Sequence, residues 1–179
     1  MFWHASVIVP RESYTGVLMT IEPCDHTSVG ILVFQDGKLL LIDRKRPPLG
    51  LAAPAGHVDK HGDPVKAEEL RYQKAAVEEL QEETGLIAIS LDLVSEGRKE
   101  NPCRRPGGDW HYWRIYKAGV MGELKPSTEE TRGHMWCSVD QMRQLLGGTS
   151  IQMPMGPAGL EPVWSKWFTE IDIISMFPR

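Results

Sequence analysis

Runs of apolar residues, and the period at which they recur, divide this chain into segments. The clearest signal is "SVGILVFQDGKLLLIDRK", where two apolar runs flank Asp36-Gly37. A dipeptide of that kind suits a two-residue turn, so a β-hairpin is predicted over 28–45. Upstream, "ASVIVP" and "TGVLMTIEP" read as short strands split by the polar "RES". Downstream, "RPPLGLAAPAGHVDKHGDP" is rich in Pro and Gly and reads as loop. Asp63-Pro64 then looks like an N-cap with Pro at the first helical position. No breaker follows until Gly85, so a helix is expected to Glu83, with Ala67, Leu70, Val77 and Leu80 as its core stripe. "IAISLDLVSEG" and "DWHYWRIYKAGV" read as strands joined by the loop "RKENPCRRPGG". "TEETRGHMWCS" leads into a short helix, "VDQMRQLLGG", stopped by Gly147-Gly148. In "LEPVWSKWFTEIDII" one helical face collects Leu160, Val163, Trp164, Trp167, Phe168 and Ile171. That face is read first as core and second as a homodimer contact. The expected architecture is α+β, a mixed sheet covered by helices, in a single domain spanning 1–179.

Composition narrows the function. The chain has 179 residues and a net charge of -4, with a pI near 5.9. A binder of long nucleic acid usually shows a basic face, so a nucleic-acid polymer is not expected as partner. An acidic balance still allows a small phosphate ligand held with metal. Three cysteines (Cys24, Cys103, Cys137) with no C-x-x-C pair suit a reducing compartment. The first residues lack a signal peptide's pattern, and no run reaches the ~18 apolar residues of a membrane helix. The expected address is the cytoplasm.

"AAVEELQEETGL" raises the question of chemistry. Glu78, Glu79, Glu82 and Glu83 crowd onto one helix near its C-terminus. At about 100° per residue, Glu79, Glu82 and Glu83 share one sector, beside the apolar stripe. Like charges at this spacing repel, and the helix dipole disfavours anions at this end. A cation would compensate, and oxygen ligands at this density suit Mg²⁺ or Mn²⁺. The plainer alternative is a solvated acidic face.

"EELQEETGL", preceded by "PAGHVD" and "HGDP", resembles the box of the Nudix hydrolase family. The family pattern is Gly, five residues, Glu, seven residues, Arg-Glu, an aliphatic, any residue, Glu-Glu, any residue, Gly, an aliphatic. Residues Glu79 to Leu86 match its second half position by position. Gly56 would be the leading Gly and Asp63 would stand for the first Glu. The first half departs from the pattern. Both of its intervals are longer here, and Glu78 replaces the Arg that would pair with Glu82. Arg71 or Lys74 could restore positive charge on that side of the helix.

The resemblance implies an αβα sandwich and a hydrolase that cleaves a diphosphate linkage in a nucleoside-diphosphate-type small molecule. It implies Glu79, Glu82 and Glu83 as ligands of Mg²⁺ or Mn²⁺, with the Gly56 carbonyl as a further oxygen. A further acid often comes from a loop before the last strand. Glu129 and Glu130 occupy that place, and Glu130 is preferred. Either Glu79 or Glu130 would serve as general base.

Candidate substrate contacts are Arg46, Arg104, Arg105 and Trp113, for phosphate grip and base stacking. Arg46 lies in "DRKRPP", for which a solvated turn is the competing reading. Alternation puts Trp110, Tyr112, Arg114 and Tyr116 on one strand face and His111 and Trp113 on the other, so some of these aromatics must be core. His57 and His61 flank the loop after Gly56, with a surface role as the default. Cys24-Asp25-His26, with Cys103 or Cys137, matches no zinc-ligand spacing, and ordinary thiols are the simpler reading. A non-catalytic nucleotide- or metal-binding module on the same fold is the alternative to an enzyme.

Overall fold

The computed structural model describes residues 22–59 and 67–178. The two upstream strands and the Asp63-Pro64 cap fall outside these residues.

The predicted hairpin forms, with β1 (Thr27–Gln35) and β2 (Lys38–Arg44) closing at Phe34 and Leu39. Asp36 and Gly37 both take positive φ, 49° and 71°, as the turn requires. The two arms then part. β1 pairs with β4 (Ala55–His57) and β2 with β3 (Leu51–Ala52), so a Pro- and Gly-rich stretch expected to be loop contributes two short strands. They are too short for a periodic signal, and their pairing is fixed by the diverging hairpin arms. β5 (Ile87–Glu100) and β6 (Trp110–Met121) form a long antiparallel pair, and β6 runs parallel to β1. β7 (Thr131–Cys137) closes on β2. Among the described residues, seven strands make one mixed sheet, and β8 (Ile151–Met153) and β9 (Gly156–Ala158) form a small hairpin that the sequence pattern did not reveal.

Helices cover both faces of the sheet, giving an α+β sandwich. α1 (Glu68–Thr84) packs Tyr72, Ala75, Ala76 and Leu80 against Val29, Ile31 and Val33 of β1. α2 (Val139–Leu146) and α3 (Pro162–Glu170) pack Met142, Leu145, Trp164, Trp167 and Phe168 against Leu32, Leu41 and Ile115 on the other face. Alternate residues of β1 thus serve two cores. Gly30 admits α3, since a Cβ there would lie 2.5 Å from the Trp164 ring. The face of α3 predicted as core is core. A 3-10 turn, Ile173–Met176, follows it.

The stripe predicted for α1 needs correction. Leu70 is 53% exposed, Ala67 is exposed and Val77 is only half-buried. The helix is rolled so that Tyr72 and two alanines face the sheet, and the same roll turns Glu79 and Glu83 inward over β4. α1 begins at Glu68 after Ala67, which makes no side-chain cap. No helix among the described residues is long and apolar enough to cross a membrane.

Candidate functional site

The C-terminal half of α1 lies over β4, and this contact builds the acidic side of the site. Glu79 is 4% exposed and Glu83 6% exposed, whereas Glu82 faces solvent. The Glu79 carboxylate packs so closely on Gly56 that a Cβ there would fall 1.8 Å from its Cδ. Glu83 Oε2 accepts from the Ala55 N–H at 2.9 Å. The short strand therefore seats both buried carboxylates. Burial pushes the Glu83 carboxyl up to about 8, reinforced by the charge of Glu79 and opposed by the Ala55 hydrogen bond and Arg44. Gly85 ends α1 in the left-handed conformation at φ 73°, with its N–H bonded to Gln81 O.

A cleft of about 170 Å³ runs along these groups. At ~30 Å³ per water it holds several waters, so it is an open basin rather than a packing defect. Its lining carries the carboxylates Glu79, Glu82, Glu83 and Glu130 and the guanidinium groups Arg44, Arg104 and Arg105. Arg44 Nε is buried without a hydrogen-bond acceptor among the described residues, an unusual state for a guanidinium donor. Arg105 is ion-paired to Asp59. Glu161 also lines the cleft; it caps α3 through the Trp164 N–H, and burial raises its carboxyl above the ordinary range.

The family model for the NUDIX domain matches residues 25–157. The chain belongs to the NUDIX family. This places it among the Nudix-type hydrolases, which generally use divalent metals. Similar solved structures include a MutT NUDIX hydrolase from Burkholderia pseudomallei, with 23% identity over 64% of this chain and 84% of that one and a TM-score of 0.52. The MutT protein from Methanosarcina mazei Go1 shares 19% identity over 83% and 94% of the two chains, with a TM-score of 0.58. The NUDIX domain of Shewanella oneidensis NrtR, solved with ADP ribose, shares 14% identity over 87% and 90%, with a TM-score of 0.56. Identities this low speak for the fold alone. No curated protein matched the chain.

Gly56, Glu79, Glu82, Glu83 and Glu130 line the one cleft, and Glu129 is exposed and outside that lining. Arg104, Arg105 and Trp113 line it too. Trp113 is 5% exposed, donates Nε1–H to Asn101 Oδ1 at 3.1 Å and meets Trp164 edge-on, so packing is its main contact. Arg46 lies outside the lining and reaches Glu130 at 3.5 Å, both side chains 43% exposed. Arg44, the last residue of β2, lines the cleft instead. Lys74 Nζ bonds Glu78 at 2.6 Å, so the lysine answers Glu78 rather than Glu82.

Two buried carboxylates, Glu79 and Glu83, with exposed Glu82 one turn away and the β4 backbone beside them, form an all-oxygen donor set. Carboxylate and carbonyl oxygens are the donors that hard divalent cations take, so the residues fit the metal the family uses. Sequence reasoning missed Asn101, Cys103, His111 and Glu161 as cleft residues. They come from loops and strand ends whose meeting is set by topology.

Proposed function

We propose that this chain hydrolyses a diphosphate linkage in a nucleoside-diphosphate-type small molecule with the help of Mg²⁺ or Mn²⁺. The observation that supports this best is a single cleft lined by both carboxylates and guanidinium groups. A diphosphate needs both, a cation seat at its bridging region and donors for its outer oxygens. Glu79, Glu82 and Glu83, with the Gly56 carbonyl, would hold the ion. When bound it would supply charge neutralisation and an acidified water. Arg44 offers its unpaired Nε–H to a phosphate oxygen, and Arg104 and Arg105 line the same cleft. One of two carboxylates, Glu79 or Glu130, takes the proton of the attacking water. Arg46 holds Glu130 at the rim. Trp113 borders the space where the rest of the substrate would extend. The reading extends to a single domain working in the cytoplasm, with any homodimer formed away from the buried α3 face.

Glu82→Gln tests this reading. Glu82 is solvent-facing, so the variant should fold with an unchanged melting temperature. Turnover of a panel of diphosphate compounds with Mg²⁺ or Mn²⁺ should fall by ~10²-fold or more. A variant of undiminished activity would remove Glu82 from the metal site.

A further inference from the structure

We propose that Cys24, His57, Cys103 and His111 bind a zinc ion, forming a second metal centre beside the carboxylate site. The four ligand atoms all lie within 4.8 Å of one another. Cys24 Sγ stands 3.1 Å from His111 Nε2 and 3.6 Å from His57 Nε2. Zinc bonds of about 2.3 Å to sulfur and about 2.0–2.1 Å to nitrogen put tetrahedral ligand atoms roughly 3.3–3.8 Å apart. To close on an ion the Cys24–His111 pair opens by a few tenths of an ångström and the widest pair contracts by about 1.5 Å at most. Two thiolates and two imidazoles form a soft donor set that selects zinc over Mg²⁺ or Mn²⁺. Each thiol gives its proton to solvent on binding, and no electron changes hands. Two thiolates balance the ion, so the centre is neutral, as suits a site where Cys24 is 8% and His111 1% exposed.

The surroundings of the four residues point the same way. The His26 N–H donates to Cys24 Sγ at 3.3 Å, and the Arg105 N–H donates to Cys103 Sγ at 3.4 Å. Each comes from two residues further along the chain, and each would stabilise a thiolate. His111 is held by its other nitrogen. Asn101 Oδ1 accepts from Trp113 Nε1, which can only donate, so that atom is the oxygen of the amide. His111 Nδ1, 3.2 Å from the same oxygen, must then donate to it. This leaves the Nε2 lone pair directed at the cluster, the arrangement a metal-bound histidine uses. Gly108 makes room: a Cβ there would lie 2.1 Å from Cys103 Sγ and 3.2 Å from Cys24 Cβ. Backbone bonds from Cys24 N to Pro106 O and from Cys103 N to Gly108 O brace the same loop.

The ligands come from the segment entering β1, from β4, from the loop 101–109 and from β6. An ion there ties the loop that carries Arg104 and Arg105 to the strand that carries Gly56. With four protein ligands the site is closed, so its role is to position the cleft wall rather than to react.

The test uses the full chain, purified with reductant, stripped by chelator and titrated with Co²⁺ and then Zn²⁺. The expected result is a thiolate-to-cobalt charge-transfer band and the intense visible bands of a tetrahedral ion, both saturating at one Co²⁺ per chain. Zinc should bleach both and raise the melting temperature, and excess Mg²⁺ should leave the bands in place. Cys24→Ser with Cys103→Ser should lose the band and the bound zinc, and Glu82→Gln should keep both. Gly108→Ala, which retains all four ligands, should weaken zinc binding by ~10-fold or more. A wild-type protein without the charge-transfer band would overturn the proposal. So would unchanged zinc stoichiometry in the double variant, or a Cys24–Cys103 disulfide in protein loaded with zinc. These readouts do not depend on turnover, so zinc binding without hydrolysis would count against the proposed function alone.

Discussion

Gly56 shows how far one residue can decide the site. Its missing Cβ is the space that the Glu79 carboxylate fills, and the carboxyl carbon would be only 1.8 Å away. Gly56→Ala must push α1 away from β4 or rotate Glu79 out of the cleft. Overpacking of this kind costs about 1–3 kcal/mol, so a lower denaturant midpoint is expected together with weaker binding of Mg²⁺. Unchanged metal affinity in a stable variant would show that Glu79 need not touch that strand. Glu83 carries a second expectation. Its carboxyl holds a proton up to about pH 8, well above the ordinary value of 4.5. A divalent ion must displace that proton, so Mg²⁺ affinity should climb with pH to about 8 and then level off. Calorimetry in buffers of different ionisation enthalpy would read the released proton directly, and its absence at pH 6–7 would count against Glu83 as ligand. The carboxylates themselves were legible in the sequence, because their spacing puts them on one side of any helix. Their burial was not, since it depends on which way the helix rolls on the sheet. The zinc-type cluster was illegible for a related reason. Its four ligands come from separate segments, and only the pairing of β1 with β4 and β6 brings them together.

Among the elements, the hairpin and α1 were readable because each carries its own start or stop. Asp36-Gly37 fixes the turn, and Gly85 ends the helix. β3, β4, β8 and β9 span two or three residues each and exist only as partners of other strands, so no period announces them. The helix stop yields a prediction of its own. Gly85 sits at φ 73°, and a Cβ there would approach Lys125 Cβ at 3.2 Å. Gly85→Ala should cost about 1–2 kcal/mol from the left-handed backbone alone. The loss should fray the last turn of α1, which carries Glu82 and Glu83, so activity should fall by more than the stability loss explains. Measuring turnover well below the unfolding transition separates the two effects. Full activity in a destabilised variant would show that the last turn is set by the sheet and not by its cap.

The described residues build a sheet with a separate core on each face, and the site lies where β1 and β6 begin and β2 ends. The α3 core presses directly on the cleft. Trp164 is fully buried, meets Trp113 edge-on with ring centroids 5.9 Å apart, and lies over Gly30. Trp113 in turn lines the cleft and bonds Asn101, which orients His111. Removing the Trp164 ring therefore opens a cavity behind the functional wall. Trp164→Ala should cost about 3–5 kcal/mol, a large share of the roughly 5–15 kcal/mol that holds a domain folded. Leu70→Ser is the matched control. The hydrophobic pattern ranks Leu70 as core, yet it is 53% exposed on the far side of α1, so its loss should stay within about 0.5 kcal/mol. Urea midpoints compared at a common slope would read both. Equal costs for the two variants would mean that α1 is rolled the other way, with Leu70 inside and Glu79 and Glu83 turned out of the cleft. The acidic lining and the function proposed for it would then fall together.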